Sequence, residues 1–376
     1  MCGLARHKLT SLMDSIGGIG MARSLRPVVV VLAALLVMLA AGTGSARAAT
    51  KVVVGPGDSI QAAVDAARPG DTIVVKGRHR ENVAITTDGI TLRGLGAALE
   101  PAATPVQNAC FDPSTPADVN GICILGDVNV DTGEVIREVR DVTVSGFTIR
   151  GFSEGIVAVG AHNATFERNV AAGNAVYGIT AFSSTGTRML FNRASGSDEA
   201  GLYIGDSPAA GATLIGNESS GNLFGILIRN AQHGTAVANS VHGNCAGVAV
   251  LADLPGPAGL FHLAGNRISN NTKACAAGED IPFPLSGVGV ALLGANGLKI
   301  NGNLITGNVP SADTEFSGGV VVLSGPGDPV TAPADNQVHG NRILGNDPDL
   351  FWDGTGSGNS FRGNICRTST PAGLCH

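Results

Sequence analysis

Aromatic residues are scarce in this chain of 376 residues: twelve Phe, two Tyr and one Trp. Charged residues make up only 14%. No run of Lys or Arg occurs, and basic and aromatic side chains do not interleave. The sequence therefore offers nothing to neutralise a phosphate backbone and stack on bases, and a nucleic-acid partner is not expected. Long apolar runs are missing too, apart from Val28 to Ala41, which is too short to span a bilayer comfortably. No stretch between the short strand patterns is long enough for a helix of ordinary length. That excludes βαβ units, whose crossovers need about a dozen residues or more.

The one apolar run follows Arg23 and Arg26 and precedes an Ala46-x-Ala48 cleavage pattern. This is the layout of a secretory signal peptide. Residues 1–48 are read as a non-mature leader, with the signal peptide at 21–48, and residues 49–376 as one exported domain. Loss of the leader removes Arg6, Lys8, Arg23, Arg26 and Arg47 against Asp14, and leaves a formal charge of −10. The mature chain would carry no transmembrane segment, and it is read as a secreted or extracytoplasmic monomer. Cys110, Cys123, Cys245, Cys275, Cys366 and Cys375 remain. An even number in an exported chain points to disulfides, although six cysteines admit many pairings. Their positions favour the local ones: Cys110–Cys123, Cys245–Cys275 and Cys366–Cys375, the last fastening a tail at 366–376. None has zinc-site spacing.

What is abundant is glycine, with 54 residues, and a recurring asparagine. Asn169, Asn192, Asn217, Asn239, Asn266, Asn303, Asn341 and Asn364 are equivalent markers. Three residues before each stands an apolar side chain, Phe166, Met189 and Leu214 among them. Five residues after most of them stands a second Asn: Asn174, Asn222, Asn244, Asn271, Asn308 and Asn346. Ser197 breaks that second series. A strand opened by Gly then follows, with inward candidates at period two such as Leu202/Ile204, Ile226/Ile228 and Val288/Val290. A fixed period with short strands is the mark of a solenoid.

The fold class is therefore all-β, a right-handed parallel β-helix of about eleven to thirteen coils stacked at about 4.8 Å. Asn is expected at the inward bend, in left-handed geometry, with its amide bonded to the coils above and below. Ser59 and Pro69-Gly70 bracket a short helix within 57–68, read as the cap that closes the first coil.

Ser59-Ile60-Gln61-Ala62-Ala63, Gly70-Asp71-Thr72-Ile73 and Glu81-Asn82-Val83, together with the repeats from Gly155 to Asn308, resemble the pectin-lyase-like superfamily. Within it the chain is similar to the periplasmic copper-enzyme accessory and mannuronan epimerase-like groups. The resemblance covers nearly all of residues 51–365 and implies the fold; fold alone does not fix activity. The Asp-Pro-His-Asp motif of mannuronan epimerases is matched only by Asn346-Asp347-Pro348-Asp349, without the His. The pectate lyase and polygalacturonase motifs are absent.

Aligning the Gly-opened strands collects one set of reactive side chains. Tyr203 points outward beside Thr180, Leu227 and Ala249. Asp206 falls level with Asn230, next to Arg229, with His233 further round the turn. Asp198 and Glu199 precede the strand. Tyr203 or His233 could exchange a proton, Arg229 could clamp a uronate, and Asp198, Glu199 and Asp206 could orient them or bind a cation. Lengthened coils add Glu279-Asp280, Asp313, Glu315, Asp328, Asp347, Asp349 and Asp353, an acidic wall that could take Ca²⁺. Two functions follow. The first is a non-catalytic carbohydrate- or envelope-associated binding scaffold, with an extracellular polysaccharide as partner. The alternative is a polysaccharide lyase or C5-epimerase that abstracts a proton from a uronate polymer.

Overall fold

The computed structural model describes residues 48–115, 118–129, 132–253, 256–278 and 281–375. The leader expected from the sequence, through residue 47, and the Glu279-Asp280 pair lie outside them. The chain winds as a right-handed parallel β-helix, as expected from the repeat. Each coil has a Gly-led strand, then a strand before the Asn marker, then a strand after it. The pre-Asn strands stack in parallel through Lys51, Thr72, Thr91, Thr143, Thr165, Arg188, Thr213, Thr235, His262, Lys299, Gln337 and Ser360, twelve levels among the described residues.

The Asn column is continuous. Each marker donates its amide to the carbonyl oxygen of the next, at 3.1 Å for Asn169 to Asn192 and for Asn192 to Asn217, and at 2.9 Å for Asn217 to Asn239. The column runs on through Asn266, Asn303 and Asn341 to Asn364. The second amide hydrogen goes to the apolar residue three before the previous marker, as in Asn217 to Met189 O at 2.8 Å. A buried amide with both hydrogens and its oxygen engaged carries no uncompensated desolvation. The left-handed residue at the bend is not the Asn, however. It is the residue before it: Arg168, Phe191 and Ala238 have φ of 53°, 54° and 53°. The marker is thereby left to turn inward while its predecessor absorbs the reversal.

The second Asn series explains the glycines that open the strands. A Cβ at Gly201, Gly225 or Gly247 would lie 2.7–2.8 Å from the amide nitrogen of Asn222, Asn244 or Asn271. Only glycine lets the column amide lie against the backbone. The series runs from Asn222 to Asn346 and ends on the buried carboxylate of Asp349. At Ser197 it fails. The Asn174 amide nitrogen and the Ser197 hydroxyl are both buried without a partner among the described residues. Ser197→Asn should close this gap and stabilise the protein by about 1–2 kcal/mol, read as a higher denaturant midpoint. An unchanged midpoint would mean that the gap costs nothing.

Ser59 caps the helix Ile60–Ala66, accepting from Ala62 N at 3.1 Å, and the Glu81 carboxylate accepts from Ile60 N at 2.8 Å. Ile60 and Val64 enter the core, so the helix sits on the first coil. The core continues through Phe166, Met189, Leu214, Ile228 and Ile300. One inward assignment shifts. Val248 pairs with Val290 and Val250 with Leu292, so Val290 and Leu292 point inward and Val288 outward.

A second apolar cluster lies outside the helix, on the outer face of the Gly-led sheet. It includes Val157, Tyr203, Leu227, Ala249, Ala291 and Val321. The disulfides Cys110–Cys123 and Cys245–Cys275 belong to it, and Cys366–Cys375 closes the tail. From period two alone this face reads as the solvent side.

Candidate functional site

Tyr203 sits where the register placed it, level with Thr180 and Leu227, with Ala249 one coil further on. It is outward but fully buried, at 0% exposure. Its ring lies 4.9 Å from that of Tyr177 and 4.8 Å from that of Phe182. It folds back over Gly205, where a Cβ would stand 2.2 Å from the hydroxyl. The hydroxyl approaches Arg229 but makes no well-aligned hydrogen bond among the described residues. Burial, and then the negative charge of Asp206, push the phenol well above its ordinary pKa, against the opposing pull of Arg229. A phenol in that state keeps its proton at neutral pH and is a weak base.

Arg229 is level with Gly205. Its side chain is 11% exposed, and its Nε donates to both carboxylate oxygens of Asp253, at 2.8 and 3.0 Å. Burial alone would lower its pKa; the Tyr203 phenol, Asp253 and Asp206 more than offset that and hold it above its usual value. Asn230 adds a bond from its amide to Asp253 Oδ1 at 2.9 Å. Asp253 is not among the sequence candidates. Extending the coil register two residues beyond Leu251 would have found it, because Leu251 is level with Arg229.

Asp206 occupies a corner near the end of its strand, Ala200–Ser207, in left-handed geometry, φ 49°, as Ser183 and Asn230 do at the same position of adjacent coils. Burial raises its carboxyl pKa; Arg229 and a hydrogen bond with Asn230 oppose the rise, and Asp253 reinforces it. The folded-state pKa therefore exceeds the unfolded one. Below the ordinary value of 3.8 the carboxyl is protonated in both states and costs nothing. As pH rises through the folded value the native state must ionise a half-buried acid, and stability falls. Asp206→Asn should thus stabilise the protein at pH 7 and not at about pH 3.5. A gain of equal size under both conditions would refute this.

Of the other candidates only Glu199 bears on this group, its charge adding to the rise in the Tyr203 pKa; Asp198 and His233 do not join it. Glu199 lies at the opposite end of the strand, where it hydrogen-bonds Tyr177, whose pKa rises through burial and then through Glu199. Asp198 is exposed beside it. His233 is exposed and lies beyond the corner: Gln232 already pairs with Gly259 in the pre-Asn sheet. Two members of the expected acidic wall are structural. Asp349 is buried and accepts from Asn346 and from the backbone of Arg367, and Asp353 accepts from Ser324 N and Thr355. Among the described residues no three His, Cys, Asp or Glu side chains come together as a metal site. A shallow cavity of about 490 Å³, lined by Asp88, Val135, Arg137 and Arg140, lies on other elements.

The family model for a "Right handed beta helix region" matches residues 132–343. The chain belongs to that family. The right-handed β-helix chain matches no curated protein. Among solved structures it is similar to the Azotobacter vinelandii mannuronan C-5 epimerase AlgE4 A-module, at 18% identity over 84% of this chain and 95% of that one, TM-score 0.52. It is also similar to a point mutant of the periplasmic alginate epimerase AlgG, at 14% identity over 83% of each chain, TM-score 0.52. The Dettilon tailspike protein gp208 matches at 13% identity, over 83% of this chain and 66% of that one, TM-score 0.52. At these identities the likeness is one of fold. Among the described residues no helix is long and apolar enough to cross a membrane.

Proposed function

We propose that this β-helix protein is an exported, non-catalytic scaffold that binds an extended polysaccharide. The observation that carries this reading is the state of Tyr203 and Arg229 on the Gly-led face. Tyr203 is fully buried with a raised pKa, and Arg229 is engaged by Asp253. A catalytic base needs access to the substrate and a pKa near the working pH; Tyr203 has neither. Stacked parallel strands instead offer long straight faces with a repeat of about 4.8 Å. Three disulfides agree with a location outside the cytoplasm and with the leader read at 21–48.

A second reading, a uronate lyase or C5-epimerase, draws on the convergence of Tyr203, Asp206 and Arg229. Pectate, alginate and hyaluronan, with and without Ca²⁺, separate the two. Unsaturated ends are read by absorbance, C5 inversion by proton NMR, and retention by affinity electrophoresis. The scaffold reading expects retention without turnover. Turnover that Tyr203→Phe abolishes would replace it with the enzyme.

A further inference from the structure

The second Asn series has one faulty step, and the groups around it have the makings of a binding site. At each complete step one amide oxygen accepts twice from the Asn of the coil before it. Asn244 Oδ1 takes the backbone N–H of Asn222 at 2.9 Å and its Nδ2 at 3.0 Å. Asn271 Oδ1 takes those of Asn244 at 3.2 and 2.9 Å. Ser197 has no carbonyl oxygen to offer Asn174 in this way. Its hydroxyl stops one bond short of the place that an amide oxygen would take. Its backbone keeps the step to the next coil, donating to Asn222 Oδ1 at 2.9 Å. Asn174 and Ser197 are each 1% exposed, and Asn174 Nδ2 and Ser197 Oγ have no partner among the described residues.

The neighbours of this step leave it room. A Cβ on Gly155, Gly201 or Gly225 would stand 2.8, 2.7 or 2.8 Å from a column amide nitrogen. On the equivalent Gly178 it would meet Gly201 O at 2.5 Å and Ala194 Cβ at 3.1 Å, and no atom of Ser197 is nearer than 3.4 Å. The serine thus does not fill the space that an amide fills on the other coils. The inward side chains of the post-Asn strands are also small here. Ala171 and Ala194 are in register, and the same column continues to Val241 and Ile268. The γ-carbons of Val241 and Ile268 crowd Gly225 and Gly247, within 2.3 and 2.7 Å of such a Cβ, and alanine has none. A purely apolar hole stays dry. This one is faced by the N–H groups of Asn174 and by a hydroxyl.

We infer that a water molecule is bound between Asn174 and Ser197, inside the solenoid, and stands in for the missing amide oxygen. It accepts from the Nδ2 and the backbone N–H of Asn174 and donates to Ser197 Oγ. Three hydrogen bonds are about the usual number for a buried water. A cation does not suit the site, because Asn174 presents donors to it. An anion does not suit it either, because Asn174, Ser197, Gly178, Ala171 and Ala194 bring no positive charge to offset the loss of hydration. The water leaves only when neighbouring coils part, so it is long-lived. Its release is part of the gain expected of Ser197→Asn.

Two measurements on the protein test this. A high-resolution crystal structure should show a density peak of water strength within hydrogen-bond distance of Asn174 Nδ2 and Ser197 Oγ. In solution the backbone amide of Asn174 should give a nuclear Overhauser signal to water, although it is shielded from bulk solvent. Ser197→Asn supplies the oxygen itself, and should lose both the peak and the signal while raising the melting temperature. Ser197→Ala keeps the room and has no hydroxyl to relay exchange with solvent, so it should keep the signal. A parent protein with no peak or no signal would overturn the inference, and so would a signal that survives in Ser197→Asn. Loss of the signal in Ser197→Ala would trace it to the hydroxyl and overturn the inference as well. A peak that bromide replaces, seen by anomalous scattering, would mean an adventitious ion only and overturn the assignment to water.

Discussion

Asn217→Leu is expected to cost more than about 4 kcal/mol of stability, although it replaces a polar side chain in an interior position with an apolar one of similar size. Asn217 is 1% exposed and bonds to the coils on both sides of it. Its oxygen accepts from Asn192 N at 2.9 Å and from the Asn192 amide at 3.1 Å. Its own amide donates to Met189 O at 2.8 Å and to Asn239 Oδ1 at 2.9 Å. Leucine would satisfy none of these. Each buried group left unpaired costs about 1–3 kcal/mol, and four are affected, two of them able to keep another partner. Guanidinium unfolding measures the total, and hydrogen exchange at the Asn192 amide reports the local loss. A cost below about 1 kcal/mol would mean that the column follows the bend without supporting it.

Arg229→Ala is expected to cost about 3–5 kcal/mol, which makes it a stability mutation before it is a functional one. From sequence alone Arg229 reads as an outward clamp whose loss spares the fold. In the structure its guanidinium is nearly buried, and it neutralises Asp253, whose side chain is 18% exposed, beside the raised carboxyl of Asp206. Removing the cation leaves two carboxylates close together with little water. Arg229→Ala with Asp253→Asn should recover much of the loss, since the second change removes the uncompensated charge. If the single variant melts with the parent, the pair is solvated and the buried-charge account is wrong. This also sets a control for enzymology: lost turnover in Arg229→Ala would count for catalysis only if the variant is shown to be folded.

The solenoid was legible because its information is local and periodic. An apolar residue, a bend, an inward Asn and a Gly-led strand recur, and one coil read correctly predicts the next. Even the fault at Ser197 was visible, since a break in a series needs no coordinates. The Cys pairings followed from short separations in the chain, 13, 30 and 9 residues. The site was half legible. Register placed Tyr203, Asp206 and Arg229 together because adjacent coils carry adjacent positions. It failed for His233, which a left-handed turn at φ 64° carries round the corner.

The sequence by itself determined the coil, the Asn columns, the cap and most of the inward side chains, because hydrophobic alternation and hydrogen-bond satisfaction act between neighbours at fixed offsets. Only the tertiary structure decided which outward side chains meet water. Period two divides a strand into two faces and cannot say that the second face of the Gly-led sheet is also buried. Nor could it say that Asp253 takes Arg229. Those outcomes depend on loops and on coils far apart in the chain, where burial, not spacing, sets the energy.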